Sequence, residues 1–231
     1  VATKSSKRYN QRRSNLDSLK VYTLDEAVSI FEKCKPTAKY DETVTLNFQL
    51  GIKPDQADQL VRGAVSLPHG SGKTVRVVCF SKGEEAKQAQ AAGADFIGAE
   101  ELVQKVLQGW LDFDAVVAHP DMMREVSKLG RVLGPRGLMP TPKTGTVTPD
   151  VGKAVKELKA GRVEYKNDKT AGVHVVCGKA SFDSEKLKEN VRVVAKAIRD
   201  SKPASSKGDY FKQIVLSMTQ GPGVRLQPSS L

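Results

Sequence analysis

The rhythm of hydrophobic and polar positions changes twice along this chain. In residues 43–50, Val44, Leu46, Phe48 and Leu50 alternate with polar residues, a period of two that predicts a half-buried strand. Before it, Leu24, Ala27, Val28, Phe31 and Cys34 form one stripe at helical spacing, and the run stops at Pro36. Thr23-x-x-Glu26 opens that helix as a capping box, because hydroxyl and carboxylate can each accept an N–H that the first turn leaves unpaired. Near the other end, 162–166 and 173–177 read as a hairpin around Asn167-Asp168-Lys169-Thr170. Leu187, Val191, Val194, Ala195 and Ile198 mark a second amphipathic helix, and residues 210–219 form a last strand.

The middle of the chain follows another pattern. Residues 75–80 and 114–118 are short apolar runs of strand length, and 95–98 is a third, weaker one. Between them, 84–92 is rich in Ala, Glu and Lys and is ended by Gly93, and 100–111 places Leu102, Val106 and Trp110 at helical spacing. Asp121 is placed to cap a helix running towards Leu129, and 151–158 reads as a final helix. Such alternation predicts a small parallel sheet covered by helices. The fold class expected is therefore mixed α/β and α+β in two domains. Residues 1–68 and 160–231 make a discontinuous α+β domain, and 69–159 an inserted parallel α/β domain. Glycines sit at both crossings, in Leu67-Pro68-His69-Gly70 and Ala160-Gly161, and would suit a hinge as well as ordinary turns.

Charge adds a partner to this outline. The 231 residues carry a formal net charge of +11, which suggests a polyanion such as nucleic acid or an anionic membrane, or simply a soluble basic protein. The surplus is +3 in residues 1–69, +2 in 70–159 and +6 in 160–231, so it lies mostly in the outer domain. Lys4, Lys7, Arg8, Arg12 and Arg13 precede any acid and read as a basic arm or a solvated end. Cations interleave with aromatics at Arg8-Tyr9, Lys39-Tyr40, Tyr165-Lys166 and Tyr210-Phe211-Lys212. Cations neutralise phosphates and rings stack on unpaired bases; the competing reading is a solvated strand face over core tyrosines. Arg162, Glu164 and Lys166 share one face of their strand.

Catalytic classes find little footing. Gly70-Ser71-Gly72-Lys73-Thr74 imitates a phosphate loop, but Leu67 stands where the leading glycine belongs and a strand follows instead of a helix. No dinucleotide fingerprint follows a strand. His174 and Cys177 fall on opposite strand faces, with His69 and His119 elsewhere, so no zinc site is expected. Neither a nucleophile elbow nor a carboxylate pair is discernible. Cys34, Cys79 and Cys177 are far apart and are expected to pack as small hydrophobes in a reducing compartment. No cofactor, no metal and no membrane partner is expected, since no apolar run reaches transmembrane length or resembles a signal peptide. Val1 in place of Met reads as processing, with a removed transit peptide; this favours plastid stroma over the alternative, bacterial cytoplasm.

The densest anomaly is 129–147, with four glycines, three prolines and three cations, expected as a long stiffened loop. Its residues 129–140, Leu-Gly-Arg-Val-Leu-Gly-Pro-Arg-Gly-Leu-Met-Pro, closely resemble the signature of the bacterial- and organellar-type large-subunit ribosomal protein one (L-one) family, the exit-site stalk protein. Val61-Arg62-Gly63, Leu67-Pro68-His69-Gly70 and residues 162–169 are also similar, and the resemblance covers nearly the whole chain. It implies a Rossmann-like inserted domain without a nucleotide. It also implies a non-enzymatic structural constituent of the large ribosomal subunit that binds rRNA of the mobile stalk and assists release of deacylated tRNA from the exit site. The partners implied are large-subunit rRNA, exit-site tRNA, other large-subunit proteins and, through translational repression, its own mRNA.

Carried onto this chain, the family's Lys-aromatic pair falls on Lys39 and Tyr40, and its Thr-Met-Gly stretch on Thr219, Gln220 and Gly221, where Gln220 replaces Met. Leu60, in 57–63, replaces a polar residue of relatives. The expected rRNA-binding set is Lys39, Tyr40, Arg62, Arg162, Glu164, Lys166, Lys169, His174, Thr219, Gln220 and Gly221. A tRNA or RNA contact is expected at Arg131, Gly134, Arg136, Gly137 and Lys143 of the inserted-domain loop. The alternatives are a nucleotide-dependent enzyme using the parallel sheet and a translational repressor acting off the ribosome.

Overall fold

A computed structural model describes residues 6–17, 20–34 and 40–231. The chain divides into two compact units, Val1–Gly72 with Val163–Leu231, and Lys73–Arg162. The parting points fall a few residues beyond the crossings expected at 68/69 and 159/160. Helix α7 (Val151–Ala160) ends in the left-handed Gly161, and one more residue stays with the inserted unit because of what Arg162 binds.

In the first unit the order is α1 (Lys7–Arg13), α2 (Leu24–Cys34), β1 (Thr43–Leu50) and β2 (Arg62–Ser66), resuming with β6 (Arg162–Lys166), β7 (Gly172–Lys179), α8 (Ser184–Asp200), β8 (Phe211–Met218) and β9 (Val224–Leu226). The capping box of α2 forms as expected: Thr23 N–H donates to Glu26 Oε2 at 2.9 Å, and Glu26 N–H to Thr23 Oγ1 at 3.4 Å. A four-stranded sheet runs in the order β7-β1-β8-β9, and every neighbouring pair is antiparallel. The apolar half of β1 is fully buried with Val173, Val175 and Cys177 of β7 and Ile214, Leu216 and Met218 of β8. Their common core includes Leu24, Ala27, Val28 and Phe31 of α2 and Leu187, Val191, Val194, Ala195 and Ile198 of α8. One face of the sheet is thus a core, and the other carries the polar half of each strand.

Two expectations in this unit need correction, one open choice is decided, and one strand went unread. The basic run 7–13 is a helix, not a free arm. Arg12 is buried and bonded through Nη1 to both oxygens of Glu42, at 2.9 and 3.0 Å. Strands 162–166 and 173–177 are not hairpin partners: β6 pairs with β2, and β7 with β1. Asn167 explains this, since its N–H donates to Val61 O and its Oδ1 accepts from Val61 N–H. The Asp168 carboxylate then caps the N–H groups of Thr170 and Gly172 and turns the chain towards the other sheet. Those bonds hold its pKa below the usual range, the Gly172 N–H contributing most and the Thr170 hydroxyl next. Tyr165 and Tyr210 are core residues, so at those two pairs the aromatic faces inward. Strand β9 was missed: three residues give no readable alternation, and its register is set by β8 and by Tyr22, whose N–H donates to Arg225 O.

The inserted unit contains β3 (Val77–Phe80), α3 (Glu84–Ala91), β4 (Phe96–Gly98), α4 (Glu100–Leu107), β5 (Ala115–Ala118), α5 (Met123–Val126), α6 (Gly130–Leu133) and α7. Its sheet is parallel, in the order β4-β3-β5. Val78 and Phe80 enter a core with α4, α5 and α6, while Val77 and Cys79 enter another with α3 and α7. Burial on both faces is why β3 reads as a continuous apolar run. Helix α4 stops at Leu107, and Trp110 instead packs edge-on against Phe96 and beside Phe113. Asp121 is not the cap: a 3-10 turn, Pro120–Met122, starts after His119, whose Nδ1 accepts the Asp121 N–H, with proline at the first helical position. The segment 129–147 is not loop throughout, since it holds α6 and a 3-10 turn at Pro142–Thr144. Among the described residues, no helix is long and apolar enough to cross a membrane.

Lys73, the lysine of the Gly-Ser-Gly-Lys-Thr run, is engaged by Asp114 at 2.6 Å, and Arg76 Nε donates to the same carboxylate at 3.0 Å. The Lys73 bond foremost, then Arg76, pulls the Asp114 pKa down to about 2. A depressed carboxylate adds stability above its unfolded pKa near 4 and loses it as pH falls through the folded value. The inserted unit should therefore weaken between about pH 4 and pH 2. Asp114→Asn should flatten that part of an acid-unfolding curve followed by Trp110 fluorescence.

Candidate nucleic-acid interface

The open face of the four-stranded sheet is built from the polar half of the alternation. Thr43, Thr45, Asn47 and Gln49 of β1 lie opposite the buried set, as do Val215 and Ser217 of β8. Asn47 is paired across the sheet with Val215 on one side and His174 on the other. The side chains hold one another. Thr45 and Ser217 hydroxyls are 3.0 Å apart, Asn47 Nδ2 donates to Ser217 Oγ at 3.0 Å, and His174 Nδ1 lies 2.8 Å from Asn47 Oδ1. Bonds of this kind fix rotamers before any partner arrives, which lowers the ordering cost of binding.

At one end of the face the chain closes into a polar knot. Thr43 N–H donates to Thr219 Oγ1 at 3.0 Å, and the same hydroxyl donates to Thr43 O at 3.2 Å. Lys179 Nζ donates to Thr43 Oγ1 at 2.9 Å. Asp41 accepts both the N–H and the hydroxyl of Ser181. Tyr40, three residues before Thr43, is 49% exposed, unlike the core tyrosines 165 and 210. Next to Thr219, Gln220 Oε1 accepts from Arg8 Nη2 at 2.6 Å, and Gly221 N–H donates to Met218 O. Tyr40, Thr219, Gln220 and Gly221 thus gather at one sheet end, with His174 on the same sheet. A surface of fixed hydroxyls, amides and an imidazole, with an exposed ring and cations at its rim, can bond sugar and base edges, stack on a base and neutralise phosphate.

The Ribosomal protein L1p/L10e family model matches residues 31–222. The chain belongs to that family. It is 54% identical over 223 residues, 96% of each chain, to the Large ribosomal subunit protein uL1 of Kosmotoga olearia.

Within this L1p/L10e member, the other expected contacts fall into separate groups. Arg62 of β2 and Glu164 and Lys166 of β6 are exposed on the two-stranded sheet, and Lys169 is exposed in the turn before β7. Arg162 stands apart from Glu164 and Lys166. Its guanidinium bonds to Glu157 and donates to Thr144 O at 2.6 Å, so it serves the fold of the inserted unit. Lys39 lies outside the described residues. The sequence reading did not single out Thr45, Asn47 and Ser217, and it placed Arg8 only in a cation–aromatic pair, without Gln220 as its partner. The first three were visible as the wet half of a strand, but their mutual bonds join positions about 170 apart in sequence.

The inserted-unit loop presents Arg131, Gly134, Arg136, Gly137 and Lys143 on the surface. Beneath them Leu129 and Leu133 are fully buried. Thr141, Thr144 and Thr146 are tied together, with Thr141 N–H donating to Thr146 Oγ1 at 2.9 Å and Thr144 Oγ1 3.0 Å from Thr146 Oγ1. Thr146 O accepts from Ala118 N–H, so the loop is moored to the sheet edge. The cations therefore stand on a rigid base.

Proposed function

We propose that this chain is a structural, non-enzymatic protein of the large ribosomal subunit, and that it clamps a folded rRNA element of the mobile stalk with the open sheet face and the Tyr40–Thr219 end. The observation that carries this reading is the pre-bonded polar face running through His174, Asn47, Ser217 and Thr45 to Thr219. Family membership and the large-subunit name of the bacterial relative support it. Tyr40 packs on sugar or base, Lys166 and Lys169 take phosphates, and the backbone at Thr219–Gly221 approaches the RNA closely. In the inserted unit, Arg131, Arg136 and Lys143 contact exit-site tRNA, which this unit helps release. Repression of its own mRNA would use the same sheet face on a similar RNA, and other large-subunit proteins are neighbours. The location proposed is the ribosome; the relative is bacterial and lends the plastid expectation no support.

The test is affinity for a structured stalk rRNA fragment against a scrambled RNA across a salt series. The wild type should prefer the stalk, and the Tyr40→Ala, Thr219→Val double variant should lose about 10- to 100-fold of that specific affinity. Equal binding to both RNAs, vanishing steeply with salt, would reduce the basic charge to a nonspecific footprint.

A further inference from the structure

Beside Thr219 lies a cleft that the sheet-face reading does not use. It has a volume of about 430 Å³ and is lined by Ser6, Arg8 and Tyr9 at the start of α1 and by Gln220 in the turn after β8. Ser6, Arg8 and Tyr9 lie outside the residues matched by the family model, and Gln220 stands where the resemblance implies methionine. The cleft walls are fixed by bonds on three sides. Ser6 Oγ accepts the Tyr9 N–H and caps α1. Buried Arg12 anchors the same helix to Glu42, just before β1. Arg8 Nη2 donates to Gln220 Oε1 at 2.6 Å.

That last bond has a chemical consequence. A guanidinium only donates, so it must face the amide oxygen, and it thereby turns the amide nitrogen with its two donors the other way. A methionine at position 220 would offer Arg8 only a weak thioether acceptor and would present no donors. The cleft therefore combines an aromatic ring with an amide that a neighbouring cation orients, the pair that stacks a base and reads an acceptor on its edge. Its volume has room for one base with its sugar.

Resting on the rRNA-clamp reading, we propose that this cleft is a single-nucleotide subsite for an unpaired nucleotide of the bound RNA. Tyr9 is its stacking platform, Gln220 reads the base edge, and Arg8 is the positioning residue that orients Gln220.

The experiment is a double-mutant cycle on the full chain, Arg8→Ala, Gln220→Ala and both together, read as affinity for the stalk rRNA fragment and its salt slope. Each single variant should bind about tenfold more weakly, and the double variant no worse than either, because the two side chains act as one device. Arg8→Met keeps the apolar stem but offers no donor to Gln220 Oε1, and should behave like Arg8→Ala. Tyr9→Phe should bind like wild type and Tyr9→Ala about tenfold more weakly. Phe keeps the ring, so this pair separates stacking from loss of the hydroxyl. If Arg8→Met binds normally, or the Arg8 and Gln220 effects simply multiply while the salt slope drops by about one ion, Arg8 does not act through Gln220 and the proposal fails. Unchanged affinity in all variants, with stalk preference intact, also overturns it. Loss of stalk preference in the wild type itself would instead overturn the clamp reading.

Discussion

Arg12→Ala is expected to destabilise the first unit by about 3–5 kcal/mol, the cost of leaving one member of a buried ion pair behind. Arg12 and Glu42 are each only 2% exposed, and their two bonds tie α1 to the chain just ahead of β1. With the guanidinium gone, the Glu42 carboxylate stays buried without the cation that balances it. Replacing both partners with apolar side chains of similar volume, Arg12→Met with Glu42→Leu, should restore most of the loss, since the pair must itself overcome desolvation before it stabilises anything. Urea unfolding followed by far-UV circular dichroism measures both. An Arg12→Ala midpoint equal to wild type would show that α1 is not anchored by this pair.

Asn190→Leu should cost the same unit about 2–4 kcal/mol, although leucine fills nearly the same space. Asn190 is fully buried in α8, and its amide satisfies three backbone groups. Oδ1 accepts from His69 N–H at 3.2 Å, while Nδ2 donates to Gly70 O at 3.1 Å and to Cys177 O at 2.8 Å. The last partner exists because the β1–β7 register slips. Val44 faces Gly178 and Thr45 faces Val176, so the bulge leaves Cys177 without an opposite residue. Burial there is complete, which pushes the Cys177 thiol up to about 12 and makes an unpaired carbonyl expensive. The same amide moors His69 and Gly70 at the first chain crossing. Asn190→Leu should therefore also speed proteolytic cleavage near Leu67–Gly70. Unchanged urea midpoint and unchanged cleavage would remove both roles.

These two residues show where sequence reading stops. The alternation in β1 and the Thr23–Glu26 capping box were legible because each is decided within eight residues by local geometry. The two-sided burial of β3 was legible as an unbroken apolar run. Arg12 looked like part of a solvated arm because its partner sits 30 positions away, and nothing local marks a cation for burial. Asn190 carries no local mark, because its purpose is a bulge in another strand. The hairpin expected at 167–170 failed for a similar reason: Asn167 commits the chain to Val61, 106 residues earlier. Of the candidate interface, Tyr40 and Thr219–Gly221 came from family resemblance. The bonds joining Thr45, Asn47, Ser217 and His174 needed the register of three strands.

Side-chain oxidation by hydroxyl radicals, with and without saturating stalk rRNA fragment, tests the interface most directly. Tyr40 and His174 are open to solvent in the free protein, as are Phe96 and Leu107 of the inserted unit, which serve as internal controls. Binding should protect Tyr40 and His174 and leave Phe96 and Leu107 as reactive as before. Saturated RNA binding with Tyr40 and His174 still fully reactive would contradict the assignment of this sheet as the RNA-binding face.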